Sequence, residues 1–136
     1  MVYYYSLRWR IELFFKTLKS GCGIEKCRLG KFERMKKFIF LASIIAWRIN
    51  WIKYLNEVEG NSPATNILSK TELEVLKRKN KYKEKREVSV EEALKWVSRL
   101  GGHLNRKNDG PPGLQTIWKG LSRLQDLEEG FMLHQN

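Results

Sequence analysis

Phe38-Ile39-Phe40-Leu41-Ala42-Ser43-Ile44-Ile45-Ala46-Trp47 is apolar at every position except Ser43. The stretch reads as the middle of a long helix over about residues 31–57. A helix that is apolar all round is buried on every side in a soluble protein. The stretch is therefore expected to be the central helix of the fold. It is too short an apolar run to cross a bilayer, and no membrane partner is expected.

Working outward, the N-terminal side predicts a first helix from about Tyr3 to Ser20. At roughly 100° per residue, Leu7, Ile11, Phe14 and Leu18 form one narrow apolar stripe. Gly21 and Gly23 end it as a breaker pair, and residues 22–30 form a loop. On the C-terminal side, Gly60-Asn61-Ser62-Pro63 is a turn by composition. Ser69-Lys70-Thr71-Glu72 and Ser89-Val90-Glu91-Glu92 both match the helix-start capping box. The first opens a short helix carrying Leu73, Val75 and Leu76. The second opens one carrying Leu94, Trp96, Val97 and Leu100, ended by Gly101-Gly102. Between them, Lys77 to Glu87 is almost wholly charged and reads as a linker or an exposed loop. After a Gly/Asn/Pro-rich loop at 101–113, a last helix is expected over about 114–130. Ile117, Trp118, Leu121, Leu124 and Leu127 form its apolar face. No segment alternates as a strand does, so the expected class is all-α: a helical bundle around a long buried central helix. The boundaries read as 1–59, 60–88 (short helix and charged linker) and 89–136.

The chain has 136 residues and a formal charge of +11. The excess is uneven. Residues 1–59 carry 12 Lys+Arg against 5 Asp+Glu, residues 60–88 carry 8 against 4, and residues 89–136 carry 6 against 6. A basic excess confined to the first two thirds attracts a polyanion, most often nucleic acid; a merely solvated basic surface is the plainer alternative. The N-terminus shows no apolar signal segment or cleavage site, and the expected location is the bacterial cytoplasm. Cys22 and Cys27 are expected as free thiols. The two histidines, His103 and His134, lack ligand spacing to them, so no zinc site is expected.

The chemistry-bearing residues sit on the first helix. Tyr5, Arg8, Glu12 and Lys19 follow the pattern Tyr-x2-Arg-x3-Glu-x6-Lys, and on an ideal helix they lie within about 60° of one another. Lys16 joins them near the same edge. A carboxylate beside such groups suits a hard divalent cation, and Arg, Lys and Tyr suit phosphate oxygens. Ordinary four-residue ion pairing of Glu12 with Arg8 and Lys16 explains the same spacing. The five tryptophans read as core or interface anchors. His103 reads as structural. Arg106 and Lys107 read either as DNA contacts or as part of a turn that brings two helices together.

The run Tyr5-Ser6-Leu7-Arg8-Trp9-Arg10-Ile11-Glu12-Leu13-Phe14-Phe15-Lys16-Thr17-Leu18-Lys19 resembles the Tyr-Arg-Glu-Lys signature of bacterial DDE-class cut-and-paste transposases. These are of the insertion-sequence-four type, the group that includes the transposase of transposon five. Cys27-Arg28-Leu29, Ala46-Trp47-Arg48-Ile49, Arg99-Leu100-Gly101-Gly102, Asn108-Asp109-Gly110-Pro111-Pro112-Gly113 and Ile117-Trp118-Lys119-Gly120-Leu121 resemble segments of the same family's C-terminal region. The resemblance implies Glu12 as the third acidic member of a DDE triad. It implies Tyr5, Arg8 and Lys19 as phosphate contacts at a transposon end, and residues 89–131 as a helical dimerisation region. If the last helix shares that dimer surface, Trp118, Leu121 and Leu124 are its candidate interface residues, although packing within one chain can use the same face.

The resemblance also implies that full-length members use magnesium or manganese, with two aspartates on the strands of an RNase-H-like sheet upstream of the signature. Asp109 and Asp126 are the only aspartates here, and both follow Glu12. The sheet and a bound metal are therefore not expected in this chain. The expected function is that of a truncated C-terminal part of a transposase. It would dimerise with itself or with a full-length transposase, bind DNA weakly and not catalyse alone. A generic basic helical DNA-binding module, or a decayed fragment without a selected role, are the alternatives.

Overall fold

The computed structural model describes residues 2–135, with five α-helices and no strand among them. The all-α expectation holds. The helices are α1 (Val2–Lys16), α2 (Phe32–Glu59), α3 (Lys70–Lys79), α4 (Val90–Leu100) and α5 (Leu114–Gln135). They fall into two compact units, Met1–Trp51 and Ile52–Asn136.

In the first unit, α1 stops four residues earlier than its periodicity predicts. It passes into a π-helical turn over Thr17–Gly21. Thr17 stands at the change. Its hydroxyl donates to the Leu13 carbonyl at 2.8 Å and lies 3.3 Å from the Asn50 Oδ1. A threonine bonding back to the preceding turn disturbs the regular ladder. The Cys22 N–H then closes the wide turn on the Thr17 carbonyl at 3.0 Å. Gly23 follows at φ +66°, a conformation that costs glycine nothing. The small core of this unit is Leu18 against Ala42 and Ala46, with Phe14, Cys22 and Ile24 packed on it. Both cysteines are free thiols. Burial pushes the Cys22 thiol up from its ordinary value.

The central helix is not buried all round, which corrects the expectation from composition. Ala42 and Ala46 face the core, but Phe40 is 66% exposed, Ile44 50% and Trp47 60%. The two alanines are small enough to let Leu18 close in, and the bulky Phe40, Ile44 and Trp47 are left outside that contact. The length expectation also changes. The whole of α2 has 28 residues and contains a window of mean hydropathy 1.3, enough by length and composition to cross a membrane. Arg48 and Asn50, both half-buried, lie within the helix. The α1 stripe is likewise divided. Leu18 is buried and Phe14 half-buried, while Leu7 and Ile11 are 37% and 58% exposed.

The second unit has a fuller core. Ile52 and Leu55 from the end of α2, Leu76 from α3, Val97 from α4, and Ile117 and Leu124 from α5 are all buried. Both capping boxes form as the sequence predicts. The Ser69 hydroxyl accepts the Glu72 N–H and the Glu72 carboxylate accepts the Ser69 N–H; Ser89 and Glu92 do the same. The loops before α3 and α4 are stitched together. The Ala64 N–H donates to the Val88 carbonyl and the Val90 N–H to the Ser62 carbonyl, each at 2.8 Å.

The charged segment expected as a linker is pinned to this unit. Val88, just beyond the segment, is 1% exposed, and within it the Tyr82 ring meets Trp96 edge-on at 5.4 Å. Arg86 grips Glu92 with both terminal nitrogens, at 2.8 and 2.6 Å. The Arg86 side chain first, and the Ser89 N–H second, hold the Glu92 carboxyl down to about 2 from 4.5. A depressed carboxyl value means stability that is present above 4.5 and lost as pH falls towards 2. The unfolding midpoint of the second unit is therefore expected to drop across that window. Glu92→Gln keeps a side chain able to cap but removes the charge. Because the pair is partly exposed, the variant is expected to cost about 1 kcal/mol at neutral pH and to flatten the pH profile below 4.5. A profile unchanged by the substitution rules the pair out as its source.

Candidate DNA-facing helix and dimerisation unit

Tyr5, Arg8, Glu12 and Lys16 all lie on α1 and are all exposed. Arg8 Nε lies 3.3 Å from Glu12 Oε1, with 76% and 53% of the two side chains exposed. An exposed pair of this kind contributes about 1 kcal/mol or less. Arg8 can therefore exchange Glu12 for a phosphate at little cost. Lys19 is different. It sits on the π-helical turn, where the straight-helix projection no longer applies, and its Nζ is 3.9 Å from Glu25 Oε1. The structure thus keeps Tyr5, Arg8, Glu12 and Lys16 on one α-helical surface. It carries Lys19 onward on a wider turn.

Glu12 belongs to no metal-holding cluster among the described residues. Among the described residues no group of three or more His, Cys, Asp or Glu side chains is placed to hold a metal ion. Asp109 is occupied in its own loop: its carboxylate accepts the Arg106 N–H at 2.9 Å. Asp126 is exposed on α5. His103 closes the same loop, with Nδ1 2.8 Å from Asn105 Oδ1 and Nε2 3.1 Å from the Gly110 carbonyl. That is a structural role. Arg106 and Lys107 are left exposed at the loop's tip.

The tryptophans divide by unit. Trp96 and Trp118 are half-buried in the second unit. Trp9, Trp47 and Trp51 are exposed in the first, so the core half of the expectation of core or interface anchors does not hold for these three. Trp47 and Trp51, one helical turn apart, stack with ring centroids 6.1 Å apart.

Of the three residues expected at a dimer interface, two are taken up by the chain's own core. Leu124 is 0% exposed and Leu121 8%, so neither is open to a second copy. The amphipathic stripe of α5 is satisfied by packing within the unit. Trp118 remains at the edge of that stripe. The periodic pattern places the end of α5 near Gly130 and leaves out the next apolar residues. The helix runs on to Gln135, and Met132 and Leu133 are 52% and 76% exposed. On a helix, Trp118, Gln125 and Met132 recur every seven residues along one side. Met132 and Leu133 line a depression of about 490 Å3 with Gln125, Glu128 and Glu129. The signal that could have extended the helix was the helix-favouring composition of 131–135, with no proline to stop it.

Comparison with known families assigns both parts. Residues 1–48 match the family described as the transposase DDE domain, and residues 44–135 match the transposase Tn5 dimerisation domain. The second match alone spans more than half of the chain. The chain belongs to the DDE transposases that carry a Tn5-type dimerisation domain, and it holds a C-terminal part of the DDE domain together with that dimerisation domain.

Proposed function

We propose that this chain acts in DNA transposition as a self-associating, DNA-binding component that does not cut DNA by itself. The observation that carries the reading is the contrast between its two matched parts. The dimerisation domain folds here as a unit with its own core, whereas Glu12 is part of no group of three or more metal-ligating side chains among the described residues. DDE transposases use divalent metal ions. Such ions take six or more oxygen ligands, and a two-metal site needs several carboxylates. One exposed Glu12 already beside Arg8 does not fit that requirement. Tyr5, Arg8, Lys16 and Lys19 remain able to contact phosphates, and Glu12 would serve as a metal ligand only if the two missing aspartates were supplied. Incubation of the purified chain with a transposon-end duplex and magnesium should leave the duplex intact; metal-dependent cleavage would end this part of the reading.

The self-association surface is assigned to the outer edge of α5, with Trp118, Met132 and Leu133 meeting the same residues of a second copy. Two-fold pairing of identical patches is the commonest way for a chain to associate with itself. Met132→Glu with Leu133→Glu places charges in that contact without touching the buried stripe. The double variant should weaken the dimer by more than about 30-fold, the effect of losing a central interface residue. Sedimentation at several concentrations measures it. A native chain that stays monomeric throughout refutes the assignment, and so does a variant that dimerises unchanged.

A further inference from the structure

We infer that the second unit carries a phosphate-binding site of its own, formed by Lys79, Arg99 and Arg123, that takes the backbone of a nucleic acid. The three come from three different helices and line one open depression of about 460 Å3, with Leu100, Leu127 and Asp126 as its other lining residues. Neither Lys79 nor Arg99 has an ion-pair partner among the described residues. Asp126 is the only acid in the lining, so the depression carries a net positive charge.

Cations on the last turn of a helix complement its dipole. That explains Lys79 at the end of α3 and Arg99 at the end of α4. It does not explain why both end on the same depression as Arg123, which lies in the middle of α5. Arg123 is held there: its guanidinium donates to the Leu100 carbonyl. One fork of the guanidinium is thus fixed, and the remaining N–H groups are free to meet an oxyanion in a set geometry. Apolar walls at Leu100 and Leu127 strengthen the attraction by keeping water off one side. The depression is shallow and open, which suits a polymer lying across it better than a small molecule enclosed within it.

This site lies outside α1 and rests only in part on the DNA-binding reading above; the experiment separates the two. Binding of a short DNA duplex is measured at several salt concentrations for the native chain, Lys79→Gln with Arg99→Gln, Arg8→Gln with Lys16→Gln, and Asp126→Asn. Removing one cation from a phosphate should reduce the salt slope by about 1. The Lys79/Arg99 variant should therefore show a slope smaller by between about 1 and 2. Asp126→Asn should bind more tightly than the native chain, a gain that misfolding cannot produce. An unchanged slope in the Lys79/Arg99 variant, with a reduced one in the Arg8/Lys16 variant, overturns the site and leaves the α1 reading standing. If the native chain does not bind DNA, the α1 reading falls. Inorganic phosphate then decides: displacement of the Arg99 and Arg123 Nε resonances keeps a phosphate site while overturning nucleic acid as its occupant, and no displacement overturns the site.

Discussion

Gly120→Ala is expected to destabilise the second unit by about 3 kcal/mol or more, enough to lower its unfolding midpoint by more than about 10 °C. In an ordinary helix the same change is favourable by about 1 kcal/mol, because alanine is the better helix former. The sign is reversed here by the crossing of α4 and α5. A Cβ at Gly120 would lie 2.0 Å from the Val97 carbonyl oxygen and 2.9 Å from its carbon. These are backbone atoms in the last turns of α4 and cannot rotate aside. The crossing is double. A Cβ at Gly101 would lie 1.9 Å from the Thr116 carbonyl oxygen and 3.1 Å from the Gly120 nitrogen. The two glycines therefore bring two helix backbones together, one from each side. Gly130→Ala is the control, since nothing lies within 4 Å of its added carbon; it should be neutral or stabilise by up to about 1 kcal/mol. Urea unfolding of the three proteins tests the account. Equal stability of Gly120→Ala and Gly130→Ala would show that the helices do not cross as closely as described.

That crossing also shows where the sequence stops being legible. Gly101-Gly102 reads correctly as a helix stop, and Gly102 does take a positive φ of 98°. Nothing in the local pattern says that Gly101 also makes room for another helix, or that Gly120 is more than a weak point in α5. Features that depend on a few neighbouring residues were readable. Both capping boxes, the five helices and the surface line of Tyr5, Arg8, Glu12 and Lys16 follow from spacing alone. Features that depend on which face meets which partner were not. Composition marks Phe38 to Trp47 as apolar, but only the packing shows that Ala42 and Ala46 are its inward side. An amphipathic stripe at Leu121 and Leu124 declares that something covers it, without saying whether the cover belongs to the same chain. Lys19 falls between the two cases. Its place in the signature is plain, yet the helix that carries it widens into a π-helical turn from Thr17.

Co-expression with a full-length transposase of the same type should reduce transposition steeply if the α5 edge pairs the two chains. Suppose that a productive dimer needs two complete catalytic domains and that chains pair at random. Equal amounts of the two then leave roughly one quarter of all dimers fully competent, and a ninefold excess of the short chain leaves roughly one in a hundred. The dependence on ratio separates pairing from competition for DNA. A competitor that acts only by occupying DNA ends through Arg8 and Lys16 is relieved by more DNA ends; mixed dimers are not. Two variants divide these routes further. Met132→Glu with Leu133→Glu should abolish the effect while leaving DNA affinity near that of the native chain. Arg8→Gln with Lys16→Gln should preserve most of it. The opposite pattern, inhibition that survives loss of the α5 edge and disappears with the α1 cations, would place the chain's action on the DNA rather than on the transposase. The structure favours the first pattern on energetic grounds. The α5 edge offers apolar side chains whose burial contributes about 1.5–3 kcal/mol each, whereas the α1 cations act from exposed positions whose attraction salt screens.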